Sequence, residues 1–172
     1  MTTLDVSPET GVSDERFRDL MSMVCGPVVV VTTAIDGAPA GTTVSSFSSL
    51  SLQPRMLMLA LDRSSRLLDK LRRAGRFGVN VLDARQETAA RTFATKSDDK
   101  FDRVDWSYRG GLPYLDRSPG WAECAVEALV PGGDHVIVVG AVHDLESLEP
   151  GAYTPLIYGG RQFGTHSGLT GS

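Results

Sequence analysis

The sequence predicts an antiparallel β-barrel with packed helices, and three observations carry that class. Short runs rich in Val, Ile, Leu and Phe recur at residues 28–34, 56–61, 77–82, 121–130 and 135–145, as strands should. Consecutive runs are joined by turns too short for a crossover, Asp36-Gly37 being the strongest hairpin signal, which disfavours a doubly wound parallel sheet. Three capped or amphipathic segments interrupt the strands as helices. The 172 residues suffice for one domain with a substantial core, and 41% hydrophobic against 22% charged residues argues against wholesale disorder.

Residues 1–12 lack periodicity and read as a loose arm, residues 13–164 as the folded domain, and residues 165–172 as a frayed tail. A helix is predicted over 14–24. Ser13 caps it, Asp14 and Glu15 suit its positive end, and Phe17, Leu20, Met21 and Val24 recur at helical spacing. Gly26-Pro27 stops it, the strand 28–34 follows, and a return strand after the hairpin runs over about 39–46. Its many hydroxyls suit it to facing a ligand better than a core. Pro54 breaks the pattern before the strand 56–61. Ser64 or Ser65 then caps a helix with Leu67, Leu68 and Leu71 on one face and Gly75 at its end. After the strand 77–82, Asp83 and Gln86 form a capping pair for a helix through 93. Residues 95–105 are charged, lack apolar periodicity and read as a surface loop. The last third is β-rich: strands 121–130 and 135–145 flank a turn at 131–134, and 155–158 is a final short strand.

A formal charge of −4 and a pI near 5.3 count against nucleic acid or an anionic membrane as the main partner. Cys25 and Cys124 make no disulfide framework, and no His, Cys or carboxylate spacing recommends a metal site. No run of about 18 apolar residues is long enough to span a membrane and no charged-then-apolar leader opens the chain, so the cytoplasm is the expected compartment. Gly-x-Ser-x-Gly, Gly-x-Gly-x-x-Gly and Walker-type signatures are absent.

The stretch 41–66 is where chemistry concentrates. Thr42 to Ser51 crowds hydroxyls around Phe47; this is either a solvated edge strand or a polar edge for a planar ring. Ser64-Ser65-Arg66 is either a plain helix cap or a phosphate site, built from a helix N-terminus, two hydroxyls and a guanidinium. Lys96 and Lys100 are solvated loop charges or cations for a second phosphate. His135, opening an apolar strand, is a hydrogen-bonded structural residue or a ring contact.

Taken in order, these segments resemble the flavin reductase-like family. Four stretches carry the resemblance: GTTVSSFSSLSLQP (41–54), LDRSSRLLDKL (61–71) leading into RFGVNVL (76–82), FATKSDDKF (93–101), and GDHVIVVGAV (133–142) with PLIYGGRQF (155–163). The resemblance implies an FMN-binding split barrel, mainly β with about three packed helices. It implies an NAD(P)H:flavin oxidoreductase passing hydride from NADH or NADPH to FMN or FAD. It further implies a homodimer that supplies reduced flavin to a partner monooxygenase, as the small component of a two-component system. An electron-transfer flavoprotein that holds FMN without turning over free flavin is the alternative. An oxidase of the pyridoxamine-phosphate kind, or a non-enzymatic ligand-binding barrel, fits less well.

Site residues follow from the same resemblance. Thr42, Thr43, Val44, Ser45, Ser46, Phe47 and Ser48 wrap the flavin ring. Leu61, Asp62, Ser64, Ser65 and Arg66 hold the ribityl and phosphate groups, while Lys96, Lys100 and Phe101 close over the tail. His135 and the Tyr158, Gly159, Gly160, Arg161 segment receive the nicotinamide, His135 with at most an auxiliary catalytic role. Two departures stand out: Ser45 where many relatives have Asn, and Arg55 after Pro54 where many have a second Pro.

Overall fold

The computed structural model describes residues 11–149 and 151–166; nearly all of the expected arm and tail lie outside the described residues. Seven strands form the principal sheet: β2 (Val29–Ile35), β3 (Ala38–Val44), β4 (Phe47–Leu52), β5 (Arg55–Asp62), β6 (Arg76–Val81), β9 (Gly120–Gly132) and β10 (His135–Ser147). Their order is β3-β2-β6-β9-β10-β5-β4, every neighbour antiparallel. A three-stranded sheet of β1 (Gly26–Pro27), β11 (Leu156–Gly159) and β12 (Gln162–Thr165) and a hairpin of β7 (Trp106–Arg109) and β8 (Leu112–Leu115) complete it.

The connectivity forces the large sheet to curl. Its two edge strands, β3 and β4, are consecutive in sequence and joined only by Ser45-Ser46. Laid flat, those edges would stand roughly 29 Å apart at sheet spacing. Three virtual bonds from Val44 to Phe47 reach at most about 11 Å. The edges therefore meet, and the sheet is a barrel split along one seam. Just before β4 the Ser46 hydroxyl donates to the Ala60 carbonyl at 2.9 Å and accepts from the Ala60 N–H at 3.1 Å, extending the β4–β5 pairing by one side-chain-mediated step.

Two cores share β2. Val29 and Val31 face the barrel interior with Leu57, Leu59, Phe77 and the leucines of α2 (Arg66–Ala74). Val28 and Val30 face a second core with Phe93 of α3 (Glu87–Ala94), Leu115 and Leu156. Burial on both faces explains the unbroken valine run. α2 ends at Gly75 in the left-handed conformation (φ 66°), and the expected Asp83–Gln86 capping box is present, leading through a 3-10 turn into α3.

Four features depart from expectation. The hydroxyl run is two strands and not one: β3 ends at Val44, and FSSLSL forms a separate edge strand, β4, whose backbone pairs with β5. The β7–β8 hairpin turns at Gly110-Gly111, and β12 forms from a short segment with no alternating pattern. α1 (Asp14–Ser22) forms with its Ser13 cap but stops two residues short of the expected end, and it buries no residue: Phe17, Leu20 and Met21 are exposed, as is Val24 just beyond it. Its apolar face is not packed on this chain's core.

Candidate functional site

Two cavities open beside β3 where it meets the end of α3. The larger, about 630 Å³, lies between β3, the start of α2 and the loop 94–101. The smaller, about 300 Å³, lies between β3, α3 and the β11–β12 turn. Ala94 lines both, as do neighbouring β3 residues: Thr42 the larger, Thr43 the smaller. Gly41 lets the strand and helix close up, since a Cβ there would sit 2.9 Å from the Phe93 ring.

The turn after β5 is built around Asp62. Its Oδ1 accepts both the Ser64 N–H and the Ser64 hydroxyl at 2.6 Å. Those two bonds hold the Asp62 carboxyl below its ordinary pKa, with His135 and Lys96 helping by charge. Ser65 occupies the N-cap of α2 in an extended conformation, and its side chain makes no capping bond. The first turn of α2 thus presents amides without a side-chain cap to a cavity that Arg66 and Lys70 also line. Arg66 Nη1 bonds Asp98 at 2.6 Å, and its Nη2 donates to the Lys96 carbonyl.

Lys100 plays a different part from the one the sequence suggested. Its ammonium donates to the carbonyls of Gly41 (3.2 Å) and Phe93 (3.1 Å), tying β3 to the negative end of α3. Burial pushes its pKa down, with Arg66 adding to the effect. The ammonium is therefore committed to carbonyls, although the residue lines the cavity. Phe101 likewise lines it, while its ring meets Phe93 and Trp106 edge-on at 4.9 and 5.0 Å. Thr42 and Thr43 donate their hydroxyls to the carbonyls of Phe93 and Ala90, so what remains of them for a ligand is chiefly backbone.

Five residues expected at the ring or ribityl group line neither cavity. Val44 and Leu61 are buried in the barrel core, because alternation along β3 and β5 turns them inward. Phe47 packs half-buried against that core, the Ser46 hydroxyl is taken by the Ala60 backbone of β5, and Ser48 bonds the Ser49 carbonyl on the exposed edge. Of the hydroxyl run, Thr42, Thr43 and Ser45 reach the cavities.

Nor does one chain gather the expected nicotinamide face. Tyr158 and Arg161 line the smaller cavity, but His135 lines neither. His135 opens β10 directly opposite Asp62 on β5, with Nδ1 2.7 Å from Asp134 Oδ1. Gly159 must lack a side chain, for a Cβ would fall 2.5 Å from Cys25 Sγ, and Gly160 turns at φ 58°. Four residues escaped the sequence reading. Lys70 lies one helical turn beyond Arg66, a spacing that could have flagged it. Asp98, Arg91 and Phe163 carry no signal, because their places depend on folding of distant segments; Arg91 lies 4.9 Å over the Phe163 ring and Tyr158 meets that ring at 5.3 Å. Among the described residues no cluster of His, Cys, Asp or Glu could hold a metal ion, and no helix is long and apolar enough to cross a membrane.

Residues 21–167 match the family described as flavin reductase like domain. The chain is 39% identical over 161 residues to a flavin reductase (NADPH) of Lentzea aerocolonigenes, covering 91% of this chain and 92% of that one. It is 32% identical over 148 residues to HsaB, the reductase subunit of a flavin-dependent monooxygenase of Mycobacterium tuberculosis (strain ATCC 25618 / H37Rv), covering 86% and 79%. Among solved structures it resembles the Streptomyces globisporus C-1027 NADH:FAD oxidoreductase SgcE6, in complex with NAD and FAD fragments, with a TM-score of 0.84, 32% identity, and coverage of 90% and 93%. It spans 43% of a longer probable flavin reductase of Rhizobium meliloti (strain 1021), to which it is 38% identical over 133 residues.

Proposed function

This chain belongs to the flavin reductase like domain family, and from that membership we propose that it is an NAD(P)H:flavin oxidoreductase supplying reduced flavin to a partner monooxygenase. One observation carries the reading to these residues. The uncapped start of α2, with Arg66 and Lys70, faces the larger cavity, and an aromatic-lined cavity lies across Thr42-Thr43 from it. A phosphate at one end and a planar ring at the other is what such a pair of compartments would take.

Ser65, Arg66, Lys70 and Lys96, with the first-turn amides of α2, would hold the flavin phosphate. The backbone from Thr43 to Ser45 would meet the polar edge of the ring, where negative charge builds as hydride arrives. A bound flavin would supply the redox chemistry, as the acceptor of the nicotinamide's hydride. Tyr158, Phe163 and Arg161 border the space left for the nicotinamide. No protein acid or base is required, so His135, which lies beside Asp134 and lines neither cavity, is assigned no catalytic role.

A second copy of the chain would cover the apolar face of α1 and bring its own residues toward the site. The cytoplasm, where free thiols such as Cys25 and Cys124 persist, is the compartment proposed. Oxidation of NADH or NADPH that rises with added FMN, FAD or riboflavin supports the reductase. A yellow protein indifferent to free flavin would be an electron carrier instead.

A further inference from the structure

Resting on the phosphate site just proposed, we infer that Asp98 is an internal stand-in for the flavin phosphate, holding Arg66 until the ligand displaces it and weakening flavin binding by that competition. Arg66 donates both guanidinium nitrogens to one loop: Nη1 to the Asp98 carboxylate at 2.6 Å, Nη2 to the Lys96 carbonyl. All three residues line the same cavity as Ser65 and Lys70. A carboxylate therefore sits among the groups that should receive an anion.

Asp98 is not placed there by chance of a loose loop. Thr95 bonds back to the Thr92 carbonyl at 2.8 Å, Ser97 donates to Asp99, and Asp99 takes two bonds from Arg103 at 2.6 and 3.0 Å. Lys100 and Phe101 anchor the far side on β3 and the second core. With Asp99 turned toward Arg103, Asp98 is the loop's carboxylate aimed at Arg66.

The pair is also easy to exchange. Both side chains are largely exposed (62% and 89%), so the ion pair contributes little and is readily opened. A phosphate monoester brings about −1.5 to −2 charges against one, and can take the guanidinium in bidentate fashion. Asp98 then stands ready to take Arg66 back, which favours release. A protein that must hand its flavin onward has use for such a brake.

The test measures dissociation constants of FMN and riboflavin, with the FMN off-rate, for the wild type, Asp98→Asn, Asp98→Ala, Arg66→Gln and the Arg66→Gln/Asp98→Asn double variant. Both Asp98 variants are expected to bind FMN about three- to tenfold tighter with a slower off-rate and unchanged riboflavin affinity. The gain should shrink below about twofold when Arg66 is already Gln. Unchanged or weaker FMN binding in both Asp98 variants overturns the inference, as does a full gain in the double variant. If Arg66→Gln leaves the preference of FMN over riboflavin intact, the phosphate site itself is wrong, and the inference falls with it for that separate reason.

Discussion

Lys100 Nζ lies 3.2 Å from the Gly41 carbonyl and fastens β3 to the loop that walls the larger cavity. The same ammonium reaches the Phe93 carbonyl, so one side chain joins strand, helix and loop. Replacing Lys100 by Met should cost about 1–3 kcal/mol, since two carbonyls lose a charged donor. Thermal unfolding would show this as a melting point lower by roughly 2–12 °C. A Lys100→Met protein of unchanged stability but lost FMN binding would return Lys100 to the role of phosphate cation.

Asp83 sets the acid limit of the second core. Its carboxylate is almost fully buried and takes bonds from the Arg85 backbone and side chain and from the Thr154 N–H. Burial pushes its pKa up, but the Arg85 and Thr154 bonds outweigh that and leave it below the ordinary value. The folded pKa being the lower, Asp83 stabilises the protein above the unfolded carboxyl's pKa of about 3.9 and loses that effect as pH falls through the folded value. Unfolding free energy measured against pH should drop below about pH 4, and Asp83→Asn should flatten that limb while lowering stability at neutral pH.

Ser65 caps α2 without bonding it, so a charge there meets the ligand before it meets the protein. Ser65→Asp is expected to weaken FMN at least tenfold, on the order of 1.4 kcal/mol or more, with riboflavin little affected. Equilibrium titration of both flavins decides. Equal losses for the two would move the phosphate elsewhere.

Much of this architecture could be read from residues alone, and the failures share a cause. The hydrophobic runs, the Asp36-Gly37 hairpin, the Gly75 stop and the Asp83–Gln86 box are local signals, and each stands where expected. The hydroxyl run was legible as a solvated edge strand, but its break at Ser45-Ser46 into β3 and β4 was not, because small hydroxyl residues continue across it unchanged. The site was legible as two segments, 41–48 and 61–66, but which side chains of those segments reach a cavity was not. Alternation turns Val44 and Leu61 inward, and the Ser46 hydroxyl is consumed by the Ala60 backbone of β5. Asp98 and Phe163 enter the cavity walls only through tertiary contacts that no local pattern encodes.

The helix α1 read correctly as amphipathic, yet its apolar face found no core. Its ties to the body are polar: Arg161 donates to Asp19, and the Gly160 N–H bonds the Ser22 carbonyl at 2.6 Å. A chain with Phe17, Leu20 and Val24 so exposed should self-associate. Sedimentation is expected to give a dimer for the wild type and a shift toward monomer for Leu20→Glu. A wild type that sediments as a monomer at all concentrations would contradict this.

Free flavin, reduced at this site by a nicotinamide, is the substrate proposed for this protein. The direct measurement mixes the protein, without oxygen, with an excess of FMN or FAD and with NADH or NADPH, and follows loss of the oxidised-flavin absorbance. Many equivalents of flavin should bleach per protein chain, at a rate proportional to protein and depressed in Arg66→Gln for FMN. Bleaching that stops at one flavin per chain, or none at all with either nicotinamide, would contradict it.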